Sequence, residues 1–218
     1  MHFIQQHILK LLTYGGAKRY SDLKPSGVEG NRFMYHLNRL IAGGYIRKTK
    51  SGYFLAAFGN RYVDKLSLKT FTPRIQPKIV TVLLCRNKAG EYLTYTRNHE
   101  PFKNLLAFPY GKLHLTETIY EAAARELKEK TGLAGKLSHR GDVYLKIFLE
   151  KEFITHMLCH VFEGKDLKGT LVKESDYGSC RWQALDAAKS KEWIPGFLEI
   201  EKLCRKGPAR FFDELTLL

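Results

Sequence analysis

From Phe3 to Leu12 the apolar residues fall at Phe3, Ile4, Ile8, Leu11 and Leu12, the three-to-four spacing of a helix with one face turned to a core. Gly15-Gly16 stops that helix. Ser21 is the candidate cap of a short second helix through Leu23, which Pro25 ends, and a longer helix is predicted from Glu29 to Ala42. In it Met34, Leu37, Leu40 and Ile41 read as the buried stripe, with Arg32, Tyr35, His36 and Arg39 on the opposite face. Gly43-Gly44 closes it. Two short extended runs follow, Tyr45 to Lys48 and Tyr53 to Ala56, around a turn at Lys50-Ser51-Gly52, and Gly59 to Leu68 reads as one more helix.

Residues 69–77, KTFTPRIQP, hold two prolines and no clear period, and read as a linker between a domain at 1–68 and a second at 78–218. From Lys78 the pattern changes to strand and turn: IVTVLLC, a turn around Lys88-Ala89-Gly90, then EYLTYTR, the polar loop NHEPFKN and the run LLAFPYG. A helix starts at Thr118. Thr118 and Glu121 have capping-box spacing, alanines and Leu127 favour helix, and Gly132 stands where a helix commonly ends. Beyond it, Gly141 to Leu149 and Phe153 to Phe162 read as strands, 169–176 as a loop, and Cys180 to Ala184 as a strand holding Trp182. Asp186 begins a short helical stretch. Pro195 suits the first turn of a last helix, which Gly207-Pro208 terminates.

The chain has 218 residues, and its hydrophobic fraction of 44% allows a real core. Its charge of +14 is uneven: residues 1–70 carry 12 Lys and Arg against 3 Asp and Glu, so +9 of the excess lies in the first third. That asymmetry points to a polyanionic partner for the N-terminal part. Cys85, Cys159, Cys180 and Cys204 form no C-x-x-C pair and read as reduced core cysteines. His156 and His160 lie in a predicted strand with no Cys or carboxylate at ligand spacing, and read as structural histidines rather than a zinc site. With no secretory leader and no apolar run long enough to span a bilayer, a cytoplasmic protein without membrane contact is expected.

The candidate chemistry is concentrated in Gly111 to Leu133, GKLHLTETIYEAAARELKEKTGL. After the glycine come five residues, Glu117, seven residues, Arg125-Glu126-Leu127, then Glu129, Lys130, Gly132 and Leu133. Glu126, Glu129 and position 130 lie three and four residues apart and project from nearly one helix face. Two carboxylates so placed suit a hard divalent cation. This stretch resembles the box of the Nudix family, matching its fixed positions except at Lys130, where the family has a third carboxylate.

That resemblance implies an α+β fold, a mixed sheet sandwiched by helices, and a site for a nucleoside diphosphate derivative such as ADP-ribose. By resemblance Glu126 and Glu129 bind Mg²⁺ or Mn²⁺, Glu117 holds Arg125 and braces the helix, and Glu174 in the late loop is the candidate further ligand or base. Gly111 opens the box; Arg97 is a candidate phosphate contact, and Tyr110 stands where the family commonly has glycine, either narrowing the approach or stacking on a ligand. Lys130 repels a metal ion: like charges a few ångströms apart cost about 1 kcal/mol in water and about 4 kcal/mol at an effective dielectric near 20. An ammonium there can instead contact the pyrophosphate.

Three helices and then a basic hairpin resemble the winged-helix regulators over residues 1–68, a resemblance of pattern. It implies that Arg32, Tyr35, His36 and Arg39 approach bases and Arg47, Lys48 and Lys50 approach phosphates, with a homodimer reading two half-sites. A protein-binding winged helix is the other reading of the domain. Two functions follow: a ligand-responsive transcription regulator with weak or absent hydrolysis, and a Mg²⁺-dependent Nudix hydrolase whose N-terminal domain assists binding or dimerisation.

Overall fold

The computed structural model describes residues 1–218, which divide into two compact units, Met1–Gln76 and Pro77–Leu218. In the first, the order is α1 (Phe3–Thr13), α2 (Tyr20–Leu23), α3 (Gly30–Ala42), β1 (Ile46–Thr49), β2 (Gly52–Leu55) and α4 (Ala57–Asp64). Ile4, Ile8, Leu12, Leu23, Phe33, Leu37, Leu40 and Ile46 form its core. The short hairpin gains a third extended partner, because Lys18 exchanges both backbone hydrogen bonds with Tyr53. Gly52 is needed there: at φ 134° a Cβ would come 2.7 Å from the Lys18 carbonyl oxygen.

Several expectations shift in this unit. The buried stripe of α3 includes Phe33, not Met34, which is 39% exposed, and Ile41 is only half-buried. His36 is also turned inward, because α3 rotates Phe33, His36, Leu37 and Leu40 toward the core together. Its ring stacks on His2 at 4.0 Å, so it is not on the outward face with Arg32, Tyr35 and Arg39. Ser21 sits inside α2; Arg19 precedes it, and Asp22 accepts the Arg19 N–H at 2.8 Å. α4 starts two residues early and ends at Asp64. Within the stretch expected as linker, Phe71 is buried in this core and Arg74 N–H donates to the Lys65 carbonyl, so the chain leaves the unit after residue 76 rather than 68.

The second unit holds two sheets. One has the order β11-β7-β8-β3-β6, built from β3 (Lys78–Cys85), β6 (Tyr110–Lys112), β7 (Ala134–Leu149), β8 (Glu152–Lys168) and β11 (Phe211–Leu217). It is mixed, since β3 runs parallel to β8 and β11 parallel to β7, while β7–β8 and β3–β6 are antiparallel. The other, β5-β4-β10-β9, uses β4 (Tyr92–Arg97), β5 (Leu106–Ala107), β9 (Glu174–Ser175) and β10 (Gly178–Gln183). Helix α5 (Ile119–Thr131) packs on β3, β6, β7 and β10, and α6 (Phe197–Lys206) packs on β7. The α+β architecture with a mixed sheet and flanking helices is therefore the one expected.

The differences from the expected pattern have local causes. β7 starts seven residues early, at Ala134, and β8 runs six residues further, to Lys168, because these mostly polar outer residues show no clear alternation. Strand β11 was not expected; its alternating half-buried and exposed residues form the sheet edge after the last helix. Pro195 precedes Gly196, whose φ of 92° starts α6 at Phe197. All four cysteines are buried and free. No helix is long and apolar enough to cross a membrane.

Candidate functional site

Helix α5 is fixed at both ends, and that fixes the register of its charged residues. Thr118 Oγ1 accepts the Glu121 N–H at 3.2 Å while Glu121 accepts the Thr118 N–H at 2.8 Å, the reciprocal pairing the spacing predicts. Gly132 ends it in the left-handed region at φ 73°, where a Cβ would lie 2.6 Å from the Thr170 carbonyl oxygen.

Arg125 then organises the carboxylates. Its Nε and Nη2 bind Glu117 in a two-pronged contact at 2.6 and 2.9 Å, and Nη2 also donates to the Lys112 carbonyl at 3.0 Å. Its Nη1 reaches Glu126 at 2.7 Å and Glu129 at 3.3 Å. Glu117 further accepts the His114 N–H at 2.8 Å. Arg125's hydrogen bonds, and after them that N–H, hold the Glu117 carboxyl down at about 2. Glu117 and Arg125 thus link the start of the box to the helix as an ion pair.

Glu126 is buried directly above Gly111. A Cβ built on Gly111 would lie 1.8 Å from the Glu126 carboxyl carbon, so the glycine is there to let a carboxylate lie against the backbone. The second oxygen of Glu126 faces Lys130 Nζ at 3.2 Å. That ammonium also donates to the Tyr110 carbonyl and stands 5.2, 5.1 and 5.9 Å from the ring centres of Tyr95, Tyr110 and Tyr177. Lys130 is 9% exposed. Burial lowers its pKa, and the Glu126 charge and hydrogen bond act in the opposite sense. It is a lysine held in an aromatic enclosure against a carboxylate, with cation–π attraction adding to the pair.

Beside this pair opens a cleft of about 660 Å³, lined in part by Lys78, Arg97, Lys112, Tyr110, Glu129 and Lys130. Lys78 donates to Thr155 Oγ1 at 3.2 Å, and burial first, then Lys112 and Arg97, lower its pKa. Arg97 is braced by Tyr110 Oη at 2.9 Å and by the carbonyls of His99 and Glu100, and has no carboxylate partner. The cleft's lining carries five Lys and Arg against three Glu.

The donor set does not suit Mg²⁺ as it stands. A hard ion needs several free oxygens, and both oxygens of Glu126 are already engaged, by Arg125 at 2.7 Å and Lys130 at 3.2 Å. Glu129 is the exposed acid that keeps one oxygen open. Glu174 lies on the outer strand β9, exposed, and is not among the residues lining the cleft; two residues of β9 turn its chain away along Ser179, and Tyr177 from the same segment reaches the site instead. Arg97, Tyr110, Gly111, Glu126, Glu129 and Lys130 are brought together as a group. Lys78, Lys112, Tyr95 and Tyr177 escaped sequence reading because strand pairing, not spacing along the chain, assembles them: Val80 lies opposite Lys112 and Gly178 opposite Arg97.

In the first unit Arg32, Tyr35 and Arg39 on α3 and Arg47, Lys48 and Lys50 on the hairpin are all exposed. None of these cations makes an ion pair; Arg47 and Lys48 lie over the rings of Phe54 and Tyr53 at 5.5 and 5.6 Å.

Residues 76–200 match the NUDIX domain family. An ADP-ribose pyrophosphatase of Methanocaldococcus jannaschii is 34% identical over 94 residues, which is 41% of this chain and 55% of that protein, so the chain spans about half the length of this curated relative. A MutT protein of Bacillus halodurans is similar in structure, with 20% identity, coverage of 64% of this chain and 89% of that one, and a TM-score of 0.52. A MutT NUDIX hydrolase of Burkholderia pseudomallei has 21% identity, coverage of 57% and 95%, and a TM-score of 0.50. At these identities the two structures speak for the fold alone.

Gly111→Ala forces a methyl group into the Glu126 carboxylate and is expected to cost about 1–3 kcal/mol of stability in denaturant unfolding. Gly30→Ala, whose Cβ would meet only Tyr20 Oη at 3.8 Å and whose φ is not positive, is the unstrained comparison. A loss in Gly111→Ala no larger than in Gly30→Ala would show that Glu126 does not rest on Gly111.

Proposed function

The chain belongs to the NUDIX domain family, and on that premise we propose that its cleft binds the diphosphate of a nucleoside diphosphate derivative such as ADP-ribose with weak or absent hydrolysis. We propose further that residues 1–68 are a DNA-binding winged helix, and that the whole acts as a homodimeric, ligand-responsive transcription regulator. The observation that carries the ligand reading is the state of Glu126: its two oxygens are taken by Arg125 and Lys130, so an internal ammonium stands where a metal would be needed.

In this reading Lys78, Arg97, Lys112 and Lys130 supply the positive field that divalent ions supply elsewhere, and the braced Arg97 guanidinium offers a forked contact to phosphate oxygens. Tyr110 narrows the cleft and holds Arg97. Diphosphate cleavage needs a water made nucleophilic and charge stabilised on the leaving phosphate. Lysines meet the second need and not the first. The basic, unpaired face of Arg32, Tyr35, Arg39, Arg47, Lys48 and Lys50 supports the DNA reading, with His36 taken out of the contact set by its burial.

A Mg²⁺-dependent hydrolase is the second reading. Glu117, Arg125, Glu126 and Glu129 are all kept, and the relative named ADP-ribose pyrophosphatase supports it; here a bound diphosphate would draw Lys130 off Glu126 and free that carboxylate.

Calorimetry with ADP-ribose in excess chelator distinguishes the two. The first reading predicts binding that Mg²⁺ changes little, turnover far below the roughly 1–1000 per second of ordinary enzymes, and loss of affinity as pH rises through the depressed pKa values of Lys78 and Lys130, where the ammonium charges are lost. Lys130→Glu is expected to make binding depend on Mg²⁺. Ordinary turnover by the unaltered chain overturns the reading.

For DNA, Arg32→Ala with Arg39→Ala is expected to abolish the gel shift while leaving the circular dichroism unchanged. Retention of binding would remove α3 from the interface.

A further inference from the structure

A second cluster lies on the five-stranded sheet, apart from the cleft, and consists of His139 and Asp142 on β7 and His160 on β8. One potential ligand atom from each falls within 4.8 Å of the others. Asp142 Oδ1 is 2.8 Å from His139 Nε2 and 2.6 Å from His160 Nδ1. The three side chains are part-buried, between 16% and 32% exposed, so one side of the cluster faces solvent.

The backbone builds this convergence. Residues three apart on a regular strand point to opposite faces, so His139 and Asp142 ought not to meet. Between His139, paired with Phe162, and Gly141, paired with Val161, the β7–β8 register shifts, and Arg140 is the extra residue of a bulge. The bulge reverses the alternation and puts both side chains on one face. Arg140 is itself pinned, with Nη1 on Glu163 at 3.1 Å, Nη2 on the Cys204 carbonyl at 3.0 Å and Nε on the Ala209 carbonyl at 3.2 Å. Asp142 and His160 are direct cross-strand partners, so the third ligand is fixed by register.

We infer that His139, Asp142 and His160 form a site for a divalent transition metal of the zinc class, independent of the diphosphate cleft. Two imidazole nitrogens and one carboxylate oxygen suit such an ion, whereas Mg²⁺ prefers all-oxygen surroundings. Ligands at about 2.1 Å from a tetrahedral zinc lie about 3.4 Å apart, so Asp142 Oδ1 needs to draw back from the two imidazole nitrogens by roughly 0.6 and 0.8 Å to share an ion with them. Three protein ligands leave a fourth position for water on the exposed side. Because the ion joins β7 to β8 across the bulge, it also clamps the long hairpin.

The test is zinc titration of the full chain, stripped with chelator, against a competing chromophoric zinc indicator, with Co²⁺ absorption as a second readout. The unaltered chain is expected to bind zinc stoichiometrically at micromolar concentrations in the presence of excess Mg²⁺. His160→Gln and Asp142→Asn, each checked for folding by circular dichroism, are expected to weaken it by about 100-fold or more. His99→Gln and His114→Gln, which alter the cleft, are expected to leave zinc binding unchanged. Absence of stoichiometric zinc on the unaltered chain overturns the assignment, and so does zinc that survives His160→Gln or is lost with His114→Gln.

Discussion

Glu126 lies against the backbone of Gly111 with one oxygen on Arg125 and the other on Lys130, and the arrangement of the cleft depends on that contact. A buried carboxylate is costly unless its charge is met, and here two cations meet it on the same helix. Lys130 is equally dependent: burial lowers its pKa, the Glu126 charge and hydrogen bond act against that, and three tyrosine rings surround the ammonium. The pair therefore sets the charge of the cleft floor. It converts a helix face that reads as metal-binding into one whose acid is already neutralised.

The positive side chains around that floor then become the dominant feature. Lys78 and Lys112 come from neighbouring strands, and the pKa of Lys78 is depressed first by burial and then by the repulsion of Lys112 and Arg97. A ligand carrying a diphosphate relieves that repulsion. The first unit likewise carries an excess of cations without carboxylate partners.

Much of this was legible in the sequence. The capping box, the Gly132 terminus and the facing of Glu126 and Glu129 follow from spacing along one helix, where local geometry decides, and the Glu117–Arg125 pair is the one the family resemblance implied. The order of elements in residues 1–68 was readable for the same reason. Spacing failed where tertiary packing chooses the face: Phe33 displaces Met34 from the core and His36 turns in against His2, although the helical pattern permits either. It failed again where strands assemble a site, as for Tyr95, Tyr177, Lys78 and Lys112, and where a bulge breaks the alternation, as at His139 and Asp142. Glu174 illustrates the converse, a loop residue placed near the site by sequence order that pairs instead along the sheet edge.

In the proposed function Lys130 is a charged ammonium, locked to Glu126, that serves the site in place of a metal. Nitrogen-15 NMR of the Lys130 side chain reads this directly. The ammonium resonance is expected to move when ADP-ribose is added in chelator and to stay in place when Mg²⁺ alone is added. A Lys130 resonance that moves with Mg²⁺ alone, and responds to ADP-ribose only when Mg²⁺ is present, would overturn that role for Lys130.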